Sequence, residues 1–148
     1  KGTVPAGRVN KETVVAAVDL LPTFVKLAGL KAPTVRGGYD GVDMSEIFLG
    51  KELLRTKPLF WEFGTSKLTL QPGKEIDRAP TLAVRDGDWK LLMDQDGGKL
   101  QLYNLAAEDY EITNLAGDYP HVVARMKLML QQWWDSIPSL PVEGRIAP

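Results

Sequence analysis

The chain has 148 residues, 25% of them charged, with a net charge of -1, no cysteine and a single histidine, His121. So near-neutral a balance gives nucleic acid or an anionic membrane no electrostatic advantage, and the missing cysteines exclude disulfides, thiolate zinc sites and cysteine nucleophiles. One histidine means that a Ser-His-Asp relay or a multi-histidine metal site would need most of its parts from elsewhere.

This length fits one domain with a sizeable core, and no run approaches the roughly 18 consecutive apolar residues of a membrane-spanning helix. Lys1-Gly2-Thr3 is neither an initiating methionine nor a signal-peptide start, so the expectation is a piece processed or cut from something longer. Gly2, Pro5 and Gly7 make the opening an extended connection. After the β-branched run TVVAAV, Asp19 stands as an N-cap before LLPTFVKLAG, where Leu20, Leu21, Phe24, Leu27 and Ala28 fall at helical spacing. Pro22 lies in the first turn, where its missing N–H costs little, and Gly29 sits where a helix is ended. A helix near 19–28 follows.

Residues 30–43 are rich in glycine, proline and charge and predict an irregular crossing; MSEIFLGK then forms a short helical patch stopped by Gly50. Pro58 precedes LFWEF, whose aromatic content predicts a strand from Leu59. The connection over 64–80 is longer than most strand connections and carries Lys67, Lys74 and Arg78. Beyond it, period-two alternation puts Leu82 and Val84 in one apolar row and Trp89, Leu91 and Met93 in another, with Arg85, Lys90 and Asp94 turned away. Asp86-Gly87 and Asp96-Gly97-Gly98 supply hairpin turns, and LQLYNL is the next strand. An acidic, turn-rich segment, AAEDYEITNLAGDY, leads to Pro120, which opens a helix. Val122, Met126, Met129, Trp133 and Ile137 are expected on the face that covers the sheet. Pro138 and Pro141 end that helix. The fold class is α+β: a small four-stranded antiparallel sheet packed by a long C-terminal helix, preceded by another helix.

Each chemical candidate has a structural counterpart. His121 follows a proline at a helix start, where a surface role outweighs catalysis. Trp133-Trp134 would suit a ring-stacking platform, but the spacing favours core packing for Trp133 and a partly exposed edge for Trp134. Asp94, Asp96 and Gly97 resemble the start of a calcium loop yet lack its later oxygen ligands and terminal Glu, which favours a hairpin turn. Glu62, between Trp61 and Phe63, could reach a cleft or pair with a cation such as Arg85. Lys67, Lys74 and Arg78 could hold an anionic group or simply be solvated. There is no phosphate loop, nucleophile elbow or paired-histidine motif, so no catalytic constellation is visible.

The ordered series VPAGRVN, VDLLPTFVKLAGL, GVDMSEIFLGK, PLFWEF, AVRDGDWKLL, LYNLAAEDYEITNLA and YPHVVARMKLMLQQW closely resembles the C-terminal portion of type I sulfatases, members of the alkaline phosphatase superfamily. The resemblance covers nearly the whole chain. It implies a parent hydrolase of sulfate esters with a bound calcium ion and a formylglycine, made from Cys or Ser in a C/S-x-P-x-R motif, whose hydrated aldehyde attacks sulfur. None of those signatures occurs here, so the catalytic and metal residues would lie upstream of Lys1. On this basis residues 1–56 would be the end of the α/β catalytic domain with a connection, and 57–148 the C-terminal subdomain. The partner would be the missing catalytic domain, and family habit points to periplasm or secretion. Many relatives carry His after Trp-Glu and a short loop, whereas here Phe63 follows Glu62 and the loop is long. Lys67, Lys74, Arg78 and Glu62 are therefore the substrate-rim candidates. Leu20, Leu21, Phe24 and Leu27 should expose apolar surface, which the missing sheet or self-association would cover. A phosphate or phosphonate ester hydrolase of the same superfamily and a stand-alone interaction module are the competing readings.

Overall fold

The computed structural model describes residues 4–34, 38–63, 73–74, 78–107 and 111–137, and the chain divides into two compact units, Lys1–Leu59 and Phe60–Pro148.

In the first unit a 3-10 turn, Ala17–Asp19, runs straight into helix α1, Leu20–Leu27, and a single helical turn, α2, follows at Ser45–Phe48. The expected N-cap is corrected in one respect. Asp19 already has helical dihedrals (φ -81°, ψ -17°), and its carboxylate makes no bond to the amides of α1. It accepts instead from the backbone N–H of Ala16 at 2.8 Å, the N–H of Val42 at 2.9 Å and the Arg55 guanidinium at 2.5 Å. One turn further on, the buried Thr23 hydroxyl accepts from the Met44 N–H at 2.9 Å. These bonds draw the segment 41–45 against the start of α1. The approach is close enough that a Cβ on Gly41 would lie 2.0 Å from the carbonyl oxygen of Val18, so only glycine fits.

Among the described residues, a polar centre of Asp19, Thr23 and Ser45 beside the fully buried Met44 is an unusual core. Its apolar residues face the other way. Leu20, Leu21, Phe24 and Leu27 are between 42% and 55% exposed, as the helical spacing and the shortage of neighbours predict.

Four strands, β1 (Leu59–Glu62), β2 (Leu82–Asp86), β3 (Trp89–Met93) and β4 (Gln101–Asn104), form an antiparallel sheet in the order β1-β2-β3-β4. The β2–β3 hairpin pairs Leu82 with Met93, Val84 with Leu91 and Asp86 with Trp89, closing through Gly87 at φ +60°. Strand β3 then pairs Leu91 with Leu102 and Lys90 with Tyr103. This register stacks Val84, Leu91 and Leu102 on one face, where helix α3, Pro120–Ser136, covers them with Val122, Met126 and Leu130. Complete burial of each such side chain contributes about 1.5–3 kcal/mol, so this face holds the unit together.

The packing stripe of α3 differs from the expected one. Val122, Met126 and Leu130 are buried, an i, i+4, i+8 row, while Met129 is only half-buried and Ile137 is 40% exposed. A row of fours drifts around the helix relative to a row that alternates threes and fours, and the sheet selects the former. Trp133 does pack inward. Its ring stacks on Phe60 at 5.1 Å with an interplanar angle of 8°.

The outer edge of β4 is closed by the acidic segment that follows it. Asn114 accepts from the Leu102 N–H at 3.0 Å and donates to the Leu100 carbonyl at 3.1 Å, and the Leu115 N–H donates to the Leu102 carbonyl at 2.8 Å. One side-chain amide thus substitutes for a strand partner on an edge that would otherwise offer unpaired backbone groups.

Candidate functional site

Strand alternation divides β1 between two faces. Phe60 turns toward α3, so Glu62 shares that side, while Trp61 and Phe63 turn to the opposite, open face of the sheet. There they line a cleft of about 300 Å³ with Ala83, Leu92 and the Lys90 side chain, closed at one end by Pro80 and Thr81. Trp61 and Phe63 remain 42% and 57% exposed, so their rings are accessible from the cleft. Lys90 supplies its polar edge. The ammonium donates to both oxygens of Glu111, at 2.7 and 2.9 Å, so the two charges form one neutral, bidentate pair on the sheet surface. Glu111 holds this position from a backbone at φ +53°, a conformation that costs a non-glycine residue of order 1 kcal/mol or more.

The sequence-derived rim candidates do not assemble into this cleft among the described residues. Glu62 ends β1 on the far face and is exposed; Lys74 and Arg78 are exposed on the connection before β2; Lys67 lies outside the described residues. Arg85 turns its guanidinium to the Gly87 carbonyl at 3.1 Å. His121 is exposed on the first turn of α3, its ring 6.3 Å from that of Tyr119. Asp94 and Asp96 serve the hairpin turn: Asp94 accepts from the Thr81 N–H at 3.1 Å, and Asp96 from the Gly98 N–H at 2.8 Å. The cleft itself is not visible in the sequence. Its signal there is Trp61 and Phe63 at i and i+2 on a strand, which the sheet brings onto one surface with the paired Ala83 and Leu92.

No group of three or more His, Asp or Glu side chains able to hold a metal occurs among the described residues, and the chain has no cysteine. Nothing among the described residues therefore fits the calcium site, and the sequence holds neither a cysteine nor a C/S-x-P-x-R motif from which a formylglycine could be made. Nor, among the described residues, is any helix long and apolar enough to cross a membrane.

No protein-family model matches the chain. Among curated proteins, choline-sulfatase of Rhizobium meliloti (strain 1021) is 34% identical over 107 residues, covering 70% of this chain and 18% of that protein. Arylsulfatase K of Xenopus laevis is 29% identical over 121 residues, covering 80% and 22% respectively. The chain is sulfatase-like in sequence. A solved 2-O GAG sulfatase shares the fold with a TM-score of 0.56 at 22% identity, over 79% of this chain and 24% of that one. The sulfatase-like chain thus spans about a fifth of the length of the curated relatives it matches.

Against that background the segments that carry the resemblance acquire structural roles. Asp19 and Thr23 of VDLLPT tie α1 to the segment 42–44, Gly87 of RDGDWKLL turns the hairpin, and Asn114 of TNLA closes the sheet edge.

Proposed function

We propose that this sulfatase-like chain is the C-terminal part of a hydrolase of sulfate esters, in which it supports a catalytic domain carrying the nucleophile and the calcium ion. The observation that carries the reading is the 34% identity to a choline-sulfatase over a stretch with no catalytic constellation among its described residues. Motif residues that make backbone-holding hydrogen bonds, rather than converging on a cleft, suit a supporting role. The exposed face of α1 fits the same reading: Leu20, Leu21, Phe24 and Leu27 are what a helix presents to a larger body, here the catalytic domain. Lys67, Lys74, Arg78 and Glu62 stay as proposed contributors to the rim of the substrate cleft, and a periplasmic or secreted location goes with the family. Without its larger body, the chain is expected to self-associate through the α1 face.

The test is to express the reading frame that runs upstream of Lys1 together with this chain and to assay aryl sulfate hydrolysis with calcium. Turnover of the sulfate ester is the expected result. Turnover of phosphate or phosphonate esters with none of sulfate would overturn it.

A further inference from the structure

The cleft on the open face of the sheet has the size and lining of a small-molecule site: about 300 Å³, two accessible aromatic rings, apolar walls from Ala83 and Leu92, and the polar side chains of Lys90 and Thr81. Its charge selects the ligand. Lys90 and Glu111 neutralise one another, so the cleft offers an anion no net attraction, and its apolar walls make stripping water from a sulfate group costly. An ammonium has three N–H donors, and two acceptors on Glu111 leave one for an oxygen on a ligand. We propose that this cleft binds a flat or saturated ring bearing a neutral oxygen, packed against Trp61 and Phe63 with that oxygen accepting from Lys90. Resting on the sulfate-ester reading above, the ligand is the ring-bearing alcohol portion of the ester and not its sulfate.

The 148-residue chain, labelled with ¹⁵N, is titrated separately with 4-methylphenol and with sodium sulfate. The proposal expects 4-methylphenol to shift the Trp61 indole N–H and the Ala83 and Leu92 amides saturably, with sulfate leaving them in place. Trp61→Ala should weaken binding about tenfold, the loss of one ring contact with its buried area, while the Val84 and Leu91 amides keep their shifts and report an intact sheet. Lys90→Met should weaken 4-methylphenol but leave toluene unchanged. Saturable shifts with sulfate, no response to 4-methylphenol, or shifts that follow protein concentration instead of ligand would each overturn the proposal. Because this readout needs no turnover, a longer chain that fails to hydrolyse sulfate esters would remove the alcohol's assignment and leave the ring site standing.

Discussion

Asp19 ties together three separate stretches of the first unit, at Ala16, Val42 and Arg55. Burial by itself would raise its pKa; the Arg55 hydrogen bond, the Val42 and Ala16 amides and the Arg55 charge outweigh that and hold the carboxyl below the ordinary range. A folded-state pKa below the unfolded value means that this stability is complete above the unfolded pKa, near 4, and is lost as pH falls through the folded value. The protection factors of the Ala16 and Val42 amides, their exchange rates taken relative to the intrinsic rate at each pH, should therefore fall on acidification below pH ~4, and Asp19→Asn should abolish that pH dependence. Asp19→Ala leaves the Arg55 guanidinium buried without its carboxylate, and it should destabilise the unit by about 3–5 kcal/mol, read from the same amides. Asn114→Ala removes the partner of the part-buried Leu102 N–H and of the exposed Leu100 carbonyl and should cost about 1 kcal/mol in urea unfolding followed by tryptophan fluorescence. In the sequence Asp19 reads as a helix cap because capping is a local pattern. Its long-range partners, Val42 and Arg55, stand 23 and 36 residues away, and no local rule reaches them.

Among the elements, the strands are the most legible in the sequence. Period-two alternation alone places Leu82, Val84, Leu91 and Met93 inward, because a one-residue slip would expose the whole row. Helix α3 is legible in its start at Pro120 but not in its stripe, since an apolar-rich helix supports two neighbouring rows and only the sheet beneath decides between them. The distinction is measurable. Met126→Ala and Leu130→Ala should each cost about 2–5 kcal/mol, whereas Ile137→Ala, at the exposed end of the helix, should stay within about 0.5 kcal/mol. Reversal of that order in thermal or urea melts would show that the helix packs through the Met129 and Ile137 row. The cleft illustrates the complementary limit. Trp61 and Phe63 are neighbours on one face of one strand, but their joining with Lys90 and Glu111 depends on two hairpins and on the path of the chain after β4.

For the molecule as a whole, resemblance carries what residue chemistry cannot. A near-neutral chain with one histidine and no cysteine offers few catalytic possibilities, and the segments that carry the resemblance use side chains, Thr23 and Asn114 among them, to hold backbone amides. That division of labour explains how a segment can be recognisably sulfatase-like while lacking a metal cluster among its described residues. It also accounts for the two kinds of surface: an apolar helix face suited to a large partner and a small ring-sized cleft. The central claim is that this chain supports catalysis without performing it, and the direct test is aryl sulfate hydrolysis by the purified 148-residue chain with calcium added. The account predicts no turnover above the uncatalysed rate. Clear turnover that a single substitution within Lys1–Pro148 abolishes would contradict it.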